Sequence, residues 1–223
     1  MTLHFRREVD KLKKMILGLG AMVEETVIKS VSAMEDNNVP LAKSIIENDN
    51  EIDQREVEVE EECLKILALH QPVAIDLRYV IAVLKINNDL ERIGDIAVNI
   101  AERAISIAEM QEIEFNLPFS KMVNIAIDML RNSLDSLIKL DPVLAREVCG
   151  NDDKVDAFHE KMYDKIQVLI SSKPKYTALL IHYLSVSRNI ERMADLATNI
   201  AEDVIYMVEG VIARHDKERL QLK

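Results

Sequence analysis

Two segments of this chain, 100 residues apart, repeat the same carboxylate and amide side chains at helical spacing. Residues 90–102 read LERIGDIAVNIAE, and residues 190–202 read IERMADLATNIAE. At about 100° per residue, the repeated polar side chains share one stripe of a helix, and the apolar side chains cover the other face. Because a fold needs only its apolar positions to recur, we expect the acidic stripe to bind something. The repeated positions are Glu91, Asp95, Asn99 and Glu102 in the first copy, and Glu191, Asp195, Asn199 and Glu202 in the second.

A pair of aspartates four residues apart precedes each repeated segment. These pairs are Asp49 with Asp53 and Asp152 with Asp156. If the two helices of a repeat form an antiparallel hairpin, residues equally far from the turn lie at the same height. The matched residues are Asp53 with Glu91 and Asp49 with Asp95 about Pro72, and Asp156 with Glu191 and Asp152 with Asp195 about Lys173 and Pro174.

Four carboxylates at one height repel one another unless a cation or a basic side chain neutralises them. Carboxylate oxygens suit hard cations such as Mg²⁺, Ca²⁺ or Mn²⁺, and also iron. The spacing therefore predicts two metal sites per chain. A solvated helix face, with Arg92 and Arg192 as partners of the acids, is the alternative that spacing leaves open, because acidic pairs four residues apart are common on exposed helices.

Helices are the elements that would position these side chains. Residues that favour helix dominate the 223-residue chain, and only five glycines and five prolines interrupt them. Little of the sequence alternates with the period of two that is typical of strands. Breaks at proline and asparagine predict six helices, near residues 4–36, 40–69, 74–110, 118–140, 142–170 and 174–214.

The first three predicted helices match the last three. Residues 41–53 align with 144–156 at an offset of 103, and the third helices align at an offset of 100. Short connections place successive helices antiparallel. We therefore predict an all-α fold of two tandem, pseudo-symmetric three-helix bundles with six long antiparallel helices, spanning residues 1–112 and 113–223.

The charge and the cysteine content narrow the classes of function. A net charge of −11 disfavours nucleic acid as a partner. The two cysteines, Cys63 and Cys149, form no CxxC motif, which argues against a thiolate zinc site or a disulfide framework. The first residues lack the apolar core of a signal peptide, and no apolar stretch is long enough to span a bilayer. We expect a cytoplasmic protein that meets membranes only through its partners.

Several segments together resemble the PhoU family of bacterial phosphate regulators. They are the opening HFRREVDKLKKMILGLGAMVE, the stretch QPVAIDLRYVIAVLKINNDLERIGDIAVNIAE and the second IERMADLATNIAE. The resemblance covers nearly the whole chain. It implies two three-helix bundles, in agreement with the prediction from the repeats.

The resemblance also implies a metal and the residues that bind it. Some members of the family carry iron or zinc clusters on repeated E(D)xxxD motifs, and others bind magnesium or manganese or no metal. The residues carried over are Asp49, Asp53, Glu91 and Asp95 for the first site, and Asp152, Asp156, Glu191 and Asp195 for the second, with Asn99, Glu102, Asn199 and Glu202 as weaker candidates. Arg188 stands where the first copy has Asn88, and its guanidinium group is able to satisfy carboxylates in place of a metal ion.

The function that the resemblance implies is regulatory rather than catalytic. PhoU-like proteins are thought to connect the phosphate ABC transporter and its ATPase to a membrane sensor histidine kinase. They restrain phosphate uptake and the phosphate-starvation response, and they are often homodimers. Two other functions remain open from the residues: a metalloenzyme built on a carboxylate cluster, and a metal-free structural adaptor. The chain has no nucleophile-base arrangement and no phosphate-binding loop, so we expect no catalytic residues.

Overall fold

A computed structural model describes residues 3–110, 117 and 119–210. Within these ranges the regular secondary structure is entirely helical, which confirms the predicted all-α class. The described residues contain seven α-helices and one short 3₁₀ turn, Pro174–Tyr176. The helices are α1 (Leu3–Glu35), α2 (Val39–Glu47), α3 (Asp49–His70), α4 (Ala74–Ala108), α5 (Phe119–Lys139), α6 (Pro142–Ser172) and α7 (Thr177–Glu209).

The helices form two bundles of matching design. Helix α1 packs with α2, α3 and α4 in the first repeat, and α5 packs with α6 and α7 in the second. The bundles join through α4 and α7, and α1 also touches α5. Their buried apolar side chains form one continuous hydrophobic core. The predicted boundary between residues 112 and 113 lies outside the described residues.

Caps and prolines fix the helix starts that the sequence predicted. The side chain of Asn38 accepts a hydrogen bond from the backbone of Leu41, and Asp141 accepts from the backbone nitrogens of Val143 and Leu144. Proline occupies the first turn of α2 and of α6, where its missing N–H costs nothing.

The predicted second helix, 40–69, differs from the structure because it is divided into α2 and α3 at Asn48. Asn48 has φ −95° and ψ 5°, and its carbonyl accepts from the nitrogen of Glu51, which is a tighter turn than an α-helix makes. Asp49 therefore begins α3, where the positive end of the helix dipole favours a carboxylate. Asn151, at the matching position, lies inside the continuous helix α6, so the residue type alone does not set the break.

The last helix also differs from its prediction over 174–214. It begins after the 3₁₀ turn and ends at Glu209, because Gly210 takes the left-handed conformation with φ 73°. The predicted end at residue 214 lies outside the described residues.

Polar contacts tie the two bundles together across the joint between α4 and α7. Lys85 Nζ lies 3.0 Å from Asp203 Oδ1, and Arg78 Nε donates to the carbonyl of Met207 at 3.1 Å. Among the helices in the described part of the chain, none is both long and apolar enough to cross a membrane.

Candidate functional site

A close contact between α3 and α4 sets the height of the acidic residues in the first repeat. Ile52, next to Asp53, is buried against Gly94, next to Asp95. A Cβ atom on Gly94 would lie 3.1 Å from Ile52 Cδ1 and 3.2 Å from its Cγ2. Because the Ile52 side chain packs directly on Gly94, the adjacent acids Asp53 and Asp95 come to a similar level on the two helices.

We name the carboxylates of the first repeat the first stripe and those of the second repeat the second stripe. The first stripe is Asp49, Asp53, Glu91 and Asp95. The second stripe is Asp152, Asp156, Glu191 and Asp195.

The carboxylates of the first stripe act on one another across the hairpin. Burial raises the pKa of Asp49 above its usual value, and the charges of Asp53 and Asp95 raise it further. Burial is also the largest cause of the raised pKa of Glu91. The negative charge of Asp95 raises it further, and so do the charges of Asp53, Glu56 and Asp49. The structure thus brings all four predicted residues of this stripe together, along with Glu56.

The second stripe shows the same effect more strongly. Burial raises the pKa of Asp152 to about 6, assisted by Asp195 and Asp156, while the Thr198 hydroxyl acts in the opposite direction. Burial likewise raises the pKa of Asp195 to about 6, assisted by Glu191 and Asp156. Negative charge is therefore held in both stripes at an electrostatic cost.

Basic side chains distinguish the second stripe from the first. Burial raises the pKa of Glu191, whereas Arg188 and Arg192 lower it. In the first repeat, Arg92 lies 3.7 Å from Asp89, which precedes Glu91 by two residues and does not belong to the stripe. The sequence left open that arginines, and not a metal ion, neutralise the acids. In the second stripe Arg192 acts on the acids in this way, and Arg188 provides a second positive charge.

The donor chemistry of both stripes fits a cation. In the second stripe, the buried Asp152 carboxylate has the Thr198 hydroxyl beside it but faces the charges of Asp195 and Asp156, which is costly for a buried acid. Still, within residues 3–110 and 119–210, no three His, Cys, Asp or Glu side chains are already arranged to hold a metal ion. A bound cation would have to draw the facing carboxylates closer together.

The weaker candidates make contacts of other kinds. Asn99 donates to the backbone carbonyl of Asp95 at 2.9 Å, and Glu102 accepts from Arg103 at 3.2 Å, so both have partners on their own helix. Burial raises the pKa of the Cys149 thiol to about 12, and the charge of Glu202 contributes to that rise. Asn199 is half-buried.

One position next to the stripes was missed in the sequence. Glu56 follows Asp53 by three residues on α3, and His159 follows Asp156 by three residues on α6. Asn87 donates its side-chain nitrogen to Glu56 Oε1 at 3.0 Å, and His159 Nδ1 lies 2.9 Å from Ser187 Oγ. The offset of 103 between the repeats was the signal that could have identified this pair of positions.

An open cleft of about 700 Å³ lies beside the second stripe. The acids Glu191 and Asp195 line it together with His159, Arg188 and Arg192. Both signs of charge therefore meet in this cleft. This arrangement suits a bound cation or a charged partner.

Comparison with known proteins places these features in a family. The family model described as the PhoU domain matches residues 16–104 and again residues 119–204, which is once for each repeat. The chain is 36% identical to the phosphate-specific transport system accessory protein PhoU homolog of Aquifex aeolicus, over 94% of this chain and 95% of that protein. It is 30% identical to the phosphate-specific transport system accessory protein PhoU of Escherichia coli, over 95% of this chain and 88% of that protein.

Solved structures agree with the sequence comparison. The crystal structure of PhoU from Pseudomonas aeruginosa matches with a TM-score of 0.89 and 34% identity, covering 93% of this chain and all of that one (100%). The phosphate transport system regulatory protein PhoU from Streptococcus pneumoniae matches with a TM-score of 0.85 and 29% identity, covering 93% of this chain and 98% of that one.

Proposed function

The chain belongs to the PhoU family, and on that premise we propose that it is a regulatory accessory protein of a phosphate-specific transport system. The observation that carries the proposal is the double match of the family model, at residues 16–104 and 119–204. Both bundles, rather than one shared module, are thereby related to the family. The relatives are named accessory proteins of a transport system, which favours regulation over catalysis.

The finer part of the proposal is an adaptor role. When phosphate is plentiful, the protein restrains uptake through the ATPase of the phosphate ABC transporter and keeps a sensor histidine kinase from activating the starvation response. It acts in the cytoplasm as a homodimer and reaches the membrane through these partners. The acidic surface of the chain, with its net charge of −11, suits basic protein partners and not nucleic acid.

The acidic stripes supply the part of the proposal that involves metal. When bound, an ion of the Mg²⁺, Mn²⁺, Zn²⁺ or iron type would neutralise carboxylates that otherwise repel one another. Asp49 and Asp53 would hold it from α3, and Glu91 and Asp95 from α4. In the second repeat Asp152 and Asp156 face Glu191 and Asp195 in the same way. Because the acids of each stripe come from two neighbouring helices, a bound cation would join those helices and affect the shape of each bundle.

A metal-free adaptor is the second candidate. Arg188 and Arg192 already act on Glu191 without any metal, which favours this function for the second stripe. In that case the stripes bind a basic segment of a partner, and a chelator does not change the affinity for that partner.

Complementation tests the regulatory role directly. In a host whose own PhoU homologue is deleted, a reporter of the phosphate-starvation response should be active even in high phosphate. Expression of this chain should restore repression. The experiment requires that the chain is present at normal levels and that its kinase and transporter are supplied with it. Continued reporter activity under these conditions would contradict the proposal.

Stripe variants test whether the first stripe takes part in repression. Glu91→Gln/Asp95→Asn should weaken repression if the first stripe acts through a cation. The matched control, Glu160→Gln/Asp164→Asn, removes two exposed acids of α6 that lie outside the stripes and should leave repression intact. Full repression by the stripe variant would show that the first stripe takes no part in repression, either through a cation or by binding a partner.

A further inference from the structure

A second open cleft, of about 310 Å³, lies where the two bundles meet, and we name it the inter-bundle cleft. Residues of α1, α4 and α7 line it, together with one residue from the turn between α5 and α6. Its apolar lining residues are Val9, Ile75, Tyr79, Leu140, Met207 and Val208. Tyr79 lies twelve residues before Glu91 on α4, and Met207 lies twelve residues after Asp195 on α7. Because that spacing is about 18 Å along a helix, the cleft is separate from both stripes.

Leu140 takes a backbone conformation that leucine rarely adopts. Its φ is 51°, in the left-handed region that disfavours bulky side chains. Asn37, at the matching position of the first repeat, has φ 50°, and asparagine tolerates this conformation. The turn is thus the same in both repeats, but the second repeat has the residue that strains it. The Leu140 side chain is 40% exposed in the cleft, so burial within the chain does not offset that strain.

Exposed apolar side chains continue beyond the inter-bundle cleft. Ile75, which lines the cleft, is 51% exposed, and Val73, two residues before it, is 74% exposed. Val143, three residues after Leu140, is 63% exposed. A small molecule held in the cleft would leave these neighbouring side chains in water. The extent of the apolar surface therefore favours contact with a segment of another protein.

The rim of the inter-bundle cleft is positively charged, although the whole chain is acidic. Arg6 and Lys13 line it from α1 together with Asp10, and Asp76 lines it from α4. Asp76 lies in the first turn of α4, where the positive end of the helix dipole offsets its charge. The first turn of α1 holds no acidic residue, so the dipole of that helix adds to the positive charge. Within the part of the chain that the structure describes, neither Arg6 nor Lys13 forms an ion pair.

We propose that the inter-bundle cleft binds an acidic, amphipathic segment of a partner protein. Apolar side chains of the segment contact Leu140 and Ile75, and its carboxylates pair with Arg6 and Lys13. Such contact removes the Leu140 side chain from water and so offsets the strain of its backbone. The inference rests on the proposed adaptor role, since an adaptor needs a surface for each partner. It does not depend on cations in the stripes.

A library of random peptides provides the probe. Phage-displayed peptides of about 16 residues, enough for roughly four helical turns, are first depleted on the Leu140→Asn variant and then selected on the full-length wild type. The depletion removes peptides that bind elsewhere on the protein. The enriched sequences should combine aspartate or glutamate with apolar residues. A selection that enriches no peptide, or that enriches basic peptides, would contradict the proposal.

Two variants then measure the apolar and the charged contacts with a selected synthetic peptide. Leu140→Asn gives the second repeat the residue of the first, so it removes the apolar side chain and relieves the backbone. It should melt at or above the temperature of the wild type, and its affinity for the peptide should fall by about tenfold or more. Arg6→Gln/Lys13→Gln should weaken binding by about tenfold and remove most of its dependence on salt. Fluorescence polarisation measures each Kd.

Matched controls change exposed residues that do not line the cleft. Val168→Asn removes an exposed apolar side chain near the end of α6, and Lys43→Gln/Lys121→Gln removes two exposed lysines. These variants should bind the peptide as the wild type does. A lower Tm for Leu140→Asn would overturn the inference from strain, because it would mean that the leucine stabilises the chain by itself.

Two other occupants would also overturn the proposal. The first is an anionic membrane, which is indicated if the wild type sediments with vesicles of phosphatidylglycerol and phosphatidylcholine and Leu140→Asn does not. The second is another copy of this chain, which is indicated if Leu140→Asn shifts the oligomeric state in analytical ultracentrifugation.

Failure of this inference is distinguishable from failure of the proposed function. If the chain restores repression in the complementation host but enriches no acidic peptide, the regulatory role stands and the inference fails. If acidic peptides bind as expected but repression is not restored, the cleft is a docking site and the proposed function fails.

Discussion

Ile52 of α3 packs directly over Gly94 of α4. The matching residues of the second repeat are Val155 and Ala194. The branched residue is thus one methylene smaller in the second repeat, and its partner is one methyl group larger. All four residues are buried. The two hairpins thus reach a similar total volume at the contact that brings their acids level.

Adding a methyl group at Gly94 tests this contact. Gly94→Ala gains up to about 1 kcal/mol from helix propensity, but the new methyl lies 3.1 Å from Ile52 Cδ1, and such overpacking costs about 1–3 kcal/mol. We expect a net loss of about 1 kcal/mol in the free energy of unfolding. Ile52→Val/Gly94→Ala reproduces the second repeat and should recover that loss. Urea unfolding measures both variants.

Gly18 provides the control for this prediction. It is exposed, and a Cβ atom there meets nothing within 4 Å. Gly18→Ala should therefore stabilise the protein by about 0.5–1 kcal/mol, from helix propensity alone. If Gly94→Ala stabilises to the same extent, the contact with Ile52 is looser than we infer.

Removing one charge from the second stripe should stabilise the metal-free protein. Asp152 is held beside Asp195 and Asp156, and the burial of its carboxylate adds to the cost of its charge. Asp152→Asn relieves this repulsion, and a gain of about 1 kcal/mol would raise Tm by roughly 2–4 °C in a protein of this size. The same variant should lose part of the increase in Tm that Mn²⁺ or Zn²⁺ produces. Thermal unfolding with chelator and with metal measures both effects.

Asp164→Asn is the matched control, since it removes an exposed acid from the same helix outside the stripe. It should leave both melting temperatures within a degree or so of the wild type, because exposed surface substitutions change stability by less than about 0.5 kcal/mol. A lower Tm for metal-free Asp152→Asn would show that this carboxylate stabilises the fold without a cation.

Much of this fold could be predicted because its signals are local. Asn38 and Asp141 cap helices, and prolines mark helix starts, so most helix ends fall within two residues of their predicted positions. The pairing of acids across the hairpin could be predicted by counting residues in both directions from Pro72, because the rise per residue is uniform along a helix.

The rest depended on contacts that no local pattern encodes. The break at Asn48 was not predicted, since Asn151 at the matching position continues α6. The position shared by Glu56 and His159 changes residue type between the repeats, so a search for repeated carboxylates does not find it, although the two residues obey the offset of 103. The assignment of metal to the stripes remains a prediction.

The ion pair between the bundles should be worth more than a surface pair. The side chain of Asp203 is only 2% exposed, and Lys85 Nζ reaches it from the other repeat at 3.0 Å. Lys85→Met keeps the apolar stem but removes the charge from beside a buried carboxylate, which costs about 3 kcal/mol. Lys85→Met/Asp203→Asn should recover most of that loss, because the buried charge is gone. Urea unfolding of the single and double variants measures the coupling.

Lys29 shows what a pair at the surface contributes. It lies 2.8 Å from Glu25 one turn away on α1, and both side chains are at least half exposed. Lys29→Met should change the free energy of unfolding by no more than about 0.5 kcal/mol. Equal effects of Lys29→Met and Lys85→Met would mean that water reaches Asp203 as freely as it reaches Glu25.

Glu62 should make the stability of the first bundle depend on acidity. Its burial alone would raise the carboxyl pKa, but Lys11, with Nζ 2.6 Å from Oε2, and Lys65 outweigh that effect and lower the pKa from 4.5 to about 2. Since the folded-state pKa is depressed, the stabilisation is fully present above about pH 4.5. It is lost as the pH falls towards 2.

Glu62→Gln therefore should cost roughly 3 kcal/mol at pH 7, because the pKa is lowered from 4.5 to about 2 and each pKa unit corresponds to about 1.4 kcal/mol. The difference from the wild type should shrink steadily below pH 4.5, and urea unfolding at pH 7, 4 and 3 follows it. Glu58→Gln, which removes an exposed partner of Arg55 on the same helix, should cost no more than about 0.5 kcal/mol. A loss in Glu62→Gln that is the same at pH 7 and pH 3 would assign the contribution of Glu62 to packing, because only a charged contact weakens when its carboxylate is protonated.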